Sequence, residues 1–221
     1  MNIQLHYTEK GTGTPLILLH GNGEDSSYFV HQIEYFSASY RVIAVDTRGH
    51  GASPRGDAPF SIPQFAEDLK SFMDRLNIEK AHILGFSDGG NIALTFALKY
   101  PERVDKLILN GANLNPKGVK ASVQIPVVIG YYISKILGGK KKAELLGLMV
   151  NEPNFTPEDL KKLQIPTFVI AGKKDMIKDS HTRLIADSIK GAQLAIIEGD
   201  HFIANKNAAE FNSSVGNFLD N

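Results

Sequence analysis

The chain has 221 residues, enough for one large domain with a sizeable core, and its 43% hydrophobic and 22% charged content is ordinary for a soluble globular protein. Its 24 basic side chains balance 24 acidic ones, so nothing global points to nucleic acid or an anionic membrane. The absence of cysteine excludes disulfides, thiolate metal sites and a cysteine nucleophile. The opening residues 1–7 lack the charged start and long apolar run of a signal peptide. The longest apolar-leaning stretch, 123–133, is interrupted by Pro126 and Gly130 and is too short to span a bilayer. A cytoplasmic monomer or small homo-oligomer acting on a small molecule is expected, with no nucleic-acid or membrane partner, no metal and no cofactor.

In chain order, short β-rich runs alternate with helical ones, which predicts a mostly parallel sheet with helices on both faces. Strands are expected at 3–7 and 16–20; Leu16 to Leu19 is an uninterrupted apolar run, as a strand buried on both faces requires. The glycine-rich turn His20-Gly21-Asn22-Gly23 follows, then a strand at 41–45. A helix is expected over 62–76, capped by Ser61, with Pro63 in its first turn and Phe65, Leu69, Phe72 and Leu76 on one stripe. Next comes a strand at 81–85 running into Gly85-Phe86-Ser87-Asp88-Gly89, where a sharp strand-to-helix turn would hold a serine hydroxyl exposed. The helix after it places Ile92, Phe96 and Tyr100 on one face and stops at Pro101. A strand at 106–110 precedes a break in the alternation.

Residues 114–164 read as two or three helices forming a small cap inserted just past a strand end, where ligands bind in open α/β sheets. The last of these helices starts at Thr156-Pro157-Glu158-Asp159, a cap followed by acids at the positive helix end. Val127, Val128, Tyr131 and Tyr132 are expected to roof the pocket, with ordinary cap core as the alternative. The insertion carries eight lysines against four acids, read as a solvated helix surface, with steering of anionic substrates as the sharper alternative. Beyond it lie strands at 167–171 and 193–197 and helices at about 179–190 and 204–219. No repeat, linker or low-complexity tract is seen, so 1–221 is read as a single domain.

Acyl transfer needs a base that reaches the serine, an acid that orients the base, and donors for the oxyanion. His201, in a loop just past the strand at 193–197, is the candidate base for Ser87. Asp175, just past the strand at 167–171, is the candidate acid, in competition with Asp179 and Asp200. The oxyanion donors expected are the backbone N–H of Asp88 and that of Asn22, with Gly21 and Gly23 letting the backbone approach the substrate. His20 and His50 are expected to brace loops, as are Asp46 and Arg48. His6, His31, His82 and His181 have no spacing suited to metal ligation.

The order Ser87, Asp175, His201 resembles the α/β-hydrolase superfamily, and the resemblance runs nearly end to end. It rests on His20-Gly21-Asn22-Gly23, Asp46-Thr47-Arg48-Gly49-His50-Gly51, the Gly85 to Gly89 turn, Tyr100-Pro101-Glu102-Arg103-Val104, Gly172-Lys173-Lys174-Asp175 and Gly199-Asp200-His201. It implies the α/β-hydrolase fold and serine-dependent hydrolysis of a small carboxylic ester without cofactor. The chain departs from the family in a small cap and in an antiparallel edge strand that is absent or shortened. Another acyl chemistry on the same triad (C–C hydrolysis, lactone opening, thioester cleavage, perhydrolysis) stays open, as does a non-catalytic ligand-binding member. Dehalogenase and epoxide-hydrolase branches use aspartate where this chain has Ser87.

The run Ser87-Asp88-Gly89-Gly90 resembles the biphenyl-hydrolase-like, valacyclovir-hydrolase-like branch, which implies that Asp88 holds the amino group of an α-amino-acid ester. A second account is open for Asp88, since an acid at a helix start is favoured by the helix dipole alone.

Overall fold

In the computed structural model, which describes residues 3–221, alternation of side chains along each strand builds two separate cores. The strands are β1 (Tyr7–Lys10), β2 (Pro15–Leu19), β3 (Arg41–Val45), β4 (Ala81–Phe86), β5 (Val104–Asn110), β6 (Thr167–Gly172) and β7 (Gln193–Ile197). They form one sheet in the order β1-β3-β2-β4-β5-β6-β7, in which only β1 runs antiparallel. Ile17, Leu19, Ile43, Ile83 and Leu109 point to one face and pack on α2 (Ile62–Arg75), α3 (Asp88–Lys99) and α7 (Asp179–Ser188) through Phe65, Phe72, Phe96 and Ile185. Leu16, Leu18, Val42, Leu84 and Ile108 point to the other, against α1 (Val30–Phe36) and the C-terminal helices α8 (Ile203–Lys206) and α9 (Ala208–Asp220). Each such side chain contributes about 1.5–3 kcal/mol by leaving water. Continuous apolar runs in the central strands follow directly from burial on both faces.

The cap consists of α4 (Ala121–Ile136), α5 (Lys140–Asn151) and the one-turn α6 (Pro157–Leu160). The Thr156 hydroxyl accepts the Asp159 N–H while the Asp159 carboxylate accepts the Thr156 N–H, the expected capping arrangement. Ser61 caps α2 by accepting the Gln64 N–H. A half-buried histidine fixes where the cap leaves the sheet: His181 Nε2 accepts the Leu114 N–H at 2.9 Å, and desolvation holds its pKa below the ordinary value.

Three elements differ from the sequence expectation. The first strand lies at Tyr7–Lys10, not 3–7: β3 ends at Val45, opposite Tyr7, so Leu5 packs into the core without a ladder partner. It is the short antiparallel edge strand. Helix α1 is additional, and the helix expected over 204–219 breaks at Asn207, whose φ of −127° is not helical.

Candidate active site

Ser87, Asp88, Asn22, Asp175 and His201 all follow the carboxyl ends of strands, because in this winding each loop there leads from a strand into the next covering element. At the turn between β4 and α3, Ser87 takes φ 54°, ψ −119°, a region that non-glycine residues occupy only under constraint. Packing imposes it. A Cβ at Gly85 would stand 2.2 Å from the Gly89 carbonyl, and one at Gly89 would stand 2.0 Å from that of Leu19. Only glycines flanking the serine let α3 press this closely on the sheet, and Ser87 N–H donates to Asn110 O at 2.8 Å to hold the turn.

The loop after β7 brings His201 to Ser87: the Ser87 hydroxyl donates to Nε2 at 2.9 Å. Nδ1–H of His201 donates to Asp175 Oδ1 at 2.7 Å, and the same oxygen accepts the Ile177 N–H at 2.8 Å. The ring is buried, lying 4.8 Å from the Phe86 ring and 5.6 Å from that of Phe202. The other two aspartates are engaged elsewhere. Asp179 pairs with Arg183, while Asp200 accepts the Phe202 N–H and pairs with Lys206.

The turn after β2 is shaped by His20, which is buried and whose pKa burial pushes down to about 4. Nε2 accepts the Thr47 N–H at 3.0 Å, so Nδ1–H donates to Gly21 O at 2.7 Å and fixes the carbonyl orientation. His50 contacts Thr47 and the Arg48 carbonyl and also braces this region. Asp46 accepts the Ser26 and Ala52 N–H groups. The Gly21 N–H is taken by Glu24 Oε2, which leaves Asn22 as the backbone donor of this turn that could serve a substrate oxygen; Gly23 is exposed. As the first residue of α3, Asp88 has an N–H with no intrahelical acceptor.

Asp88 occupies the floor of the site. Its carboxylate is buried, accepts Asn22 Nδ2–H at 2.9 Å and Asn91 Nδ2–H at 3.1 Å, and has no ion-pair partner among the described residues. Desolvation raises its pKa to about 6, and the nearby Glu152 carboxylate acts in the same direction. Asn22 donates its second amide hydrogen to Leu145 O of α5 at 2.7 Å, which ties the cap to this floor. Asn91 continues the chain of amides to Asn113 Oδ1 at 3.1 Å. Sequence reading missed Asn91, Asn113 and Glu152; the i, i+3 spacing of Asp88 and Asn91 on α3 was the one local signal for the first. It also missed Glu24, whose pKa burial raises to about 7.

The expected pocket roof is only partly assembled. Tyr131 lines a cavity of about 440 Å³ between α4 and α5, shared with Phe60, Ser134, Glu144, Asn151 and Glu152. Val127 and Val128 are half-buried. Tyr132 is 56% exposed and faces outward, because one residue along a helix rotates a side chain by about 100°. Among the described residues there is no cluster of histidine and acidic groups able to hold a metal ion, and no helix is long and apolar enough to cross a membrane.

A mostly parallel sheet carrying a serine, a histidine and an aspartate in hydrogen-bonded sequence across its strand tips is the architecture of an α/β hydrolase. Residues 14–128 match the model of the alpha/beta hydrolase fold family, and the chain belongs to that family of hydrolases. It is 28% identical to the serine hydrolase BPHL of Mus musculus, over 98% of this chain and 83% of that protein. It is 36% identical to the 2-hydroxy-6-oxononadienedioate/2-hydroxy-6-oxononatrienedioate hydrolase of Paraburkholderia phymatum, over 74% of this chain and 59% of that protein. Among solved structures, the meta-cleavage product hydrolase CumD from Pseudomonas fluorescens IP01 superposes with a TM-score of 0.82 at 27% identity, covering 99% of this chain and 94% of that one.

Proposed function

We propose that the chain is a serine hydrolase that cleaves small carboxylic esters through an acyl-enzyme and prefers esters of α-amino acids. The observation that carries the reaction is the continuous relay Asp175–His201–Ser87 at 2.7 and 2.9 Å. With Nδ1–H committed to Asp175, His201 has a free lone pair on Nε2 to take the Ser87 proton as the oxygen attacks the ester carbonyl. The carbonyl oxygen, becoming negative, is received by the N–H groups of Asn22 and Asp88, each contributing on the order of 3 kcal/mol to the barrier reduction. The histidinium then gives its proton to the departing alcohol. Water, deprotonated by the same histidine, attacks the acyl-serine and releases the acid, which restores Ser87.

The substrate preference rests on Asp88. Its two donors are neutral amides, so the carboxylate keeps its charge uncompensated and retains lone pairs for another donor. Glu152 adds a second negative group nearby. A negative site beside the nucleophile opposes an oxyanion, and a substrate ammonium offsets that opposition. Similarity to the serine hydrolase BPHL supports the serine-dependent reaction.

The test is a panel of paired esters, each with and without an α-amino group, run on the wild type and on Ser87→Ala. Ser87→Ala is expected to lose at least ~10⁴-fold in kcat and all labelling by a fluorophosphonate probe. Persistent turnover in that variant overturns the mechanism; equal turnover of the paired esters overturns the preference alone.

A further inference from the structure

The described residues include ten exposed large hydrophobic side chains, and six of them fall within thirteen positions of the cap. Ile125, Ile129, Tyr132, Ile133 and Ile136 recur at helical spacing along one side of α4, with exposures of 58, 55, 56, 50 and 82%, and Leu137 follows at 78%. The stripe is about 18 Å long at 1.5 Å per residue. The opposite side of α4 is occupied: Gly130 and Tyr131 meet Leu146 and Gly147 of α5, and Gln124 donates to Met149 O. A monomer in water has no use for so concentrated an apolar strip.

Charge identifies what covers it. No aspartate or glutamate occurs anywhere from Lys106 to Ala143. The first acid beyond, Glu144, already accepts from Nη2 and Nε of Arg55 at 2.7 and 3.1 Å. Lys135 stands at the edge of the stripe with its Nζ over the Tyr131 ring, and Lys140, Lys141 and Lys142 open α5 just past the stripe's end, Lys140 and Lys141 bordering the cavity beside Glu144; all four are exposed and have no ion-pair partner among the described residues. A second copy presenting this same face would bring lysines to a surface without carboxylates. Phosphate headgroups over an acyl layer offer both complements, negative charge above and apolar volume beneath, and a tyrosine within the strip suits the boundary between them.

We propose that the outer face of α4, with Lys135 and the lysines at 140–142, seats the chain on an anionic lipid surface. The helix lies in the plane of the interface, its isoleucines among the upper acyl segments and its lysines among the headgroups. The near-zero net charge of the whole chain conceals this, because the acids that balance the cap lysines lie on other faces.

Co-sedimentation of the full chain with vesicles tests it, comparing phosphatidylcholine alone with a mixture containing about one third phosphatidylglycerol. Binding to the anionic vesicles is expected to be at least ~10-fold stronger and to fall steeply at ~0.5 M salt. Ile129→Asp/Ile133→Asp is expected to lose vesicle binding while keeping its thermal transition, since neither residue is part of the buried core and each is at least half exposed. Lys141→Glu/Lys142→Glu is expected to lose ~10-fold or more on anionic vesicles alone. Failure to bind anionic vesicles overturns the proposal, as does binding indifferent to both double variants. It is also overturned if sedimentation velocity finds a wild-type dimer that Ile129→Asp/Ile133→Asp converts to monomer, because a second copy then covers the face.

Discussion

Above about pH 6 the Asp88 side chain is a charge held in the protein interior by two neutral amides, and this sets stability against the proposed recognition of a substrate ammonium. A carboxyl whose folded pKa lies above its unfolded value binds its proton more tightly in the folded state. Its stability contribution is therefore full below the ordinary carboxylate range and is lost as the pH rises through about 6. Recognition of an ammonium runs the other way, since only the charged form attracts it. The ratio of kcat/KM for an α-aminoacyl ester to that for its desamino counterpart should rise between about pH 5 and 7, where the ammonium itself stays protonated. Asp88→Asn should flatten that profile and lower the ratio ~10–100-fold, the magnitude of one charge-assisted hydrogen bond. A wild-type ratio independent of pH would refute the role. Nearby, Gly111 adopts φ +63°, and a Cβ there would lie 2.7 Å from His201 Cε1. Gly111→Ala should therefore displace the imidazole and cost ~100-fold in kcat with little change in KM, measured on a neutral ester.

Between elements, the most consequential polar contact is the pair formed by Arg48, in the loop after β3, and Asp68 of α2. Arg48 is 1% exposed and gives two hydrogen bonds of 2.6 Å to the Asp68 carboxylate. Removing one partner strands the other charge out of water. Asp68→Ala should cost about 3–5 kcal/mol, whereas Arg48→Met/Asp68→Leu should cost much less. Urea midpoints of the two variants check this; equal losses would mean that the pair acts through packing alone. In the sequence Arg48 reads only as a loop-ordering residue, because a partner twenty positions away on another element leaves no periodic trace. The central strands are legible for the opposite reason, since burial on both faces writes an unbroken apolar run. Edge strand β1 is polar and was misplaced by a few residues, and seven-residue α1 is too short for its periodicity to stand out. The positions of Ser87, Asp175 and His201 were legible because each follows a recognisable strand within a glycine-bearing turn. What holds Asp88 was not, because Asn22, Asn91 and Glu152 converge from three separate regions. Nor did the sequence say which side of α4 faces out, as that helix is apolar nearly all round.

Across the whole molecule, cohesion is unevenly distributed. The sheet is packed on both faces, whereas α4 rests on α5, and of α4 only Ser134 is buried. Helices α4 and α5 are held to the rest by one fully buried apolar side chain, Leu148 of α5, and by polar contacts that include Asn22 to Leu145 O, Arg55 to Glu144, and the Ile62 N–H to Glu152, while α6 is anchored in the main core by Leu160. Such a unit has little apolar burial to lose on opening and can open without disturbing the sheet. Amide hydrogens of α4 and α5 should exchange at least ~10²-fold faster than those of β4 and β5, which open only with global unfolding. Arg55→Ala should speed exchange in the cap further while leaving strand protection unchanged, since its partner Glu144 lies on α5. Equal protection of cap and strands by hydrogen-exchange mass spectrometry would mean that the cap folds and unfolds with the sheet. In that case the contact between Asn22 and Leu145 could not act as a gate above Asp88, and substrate would have to reach Ser87 through a fixed opening.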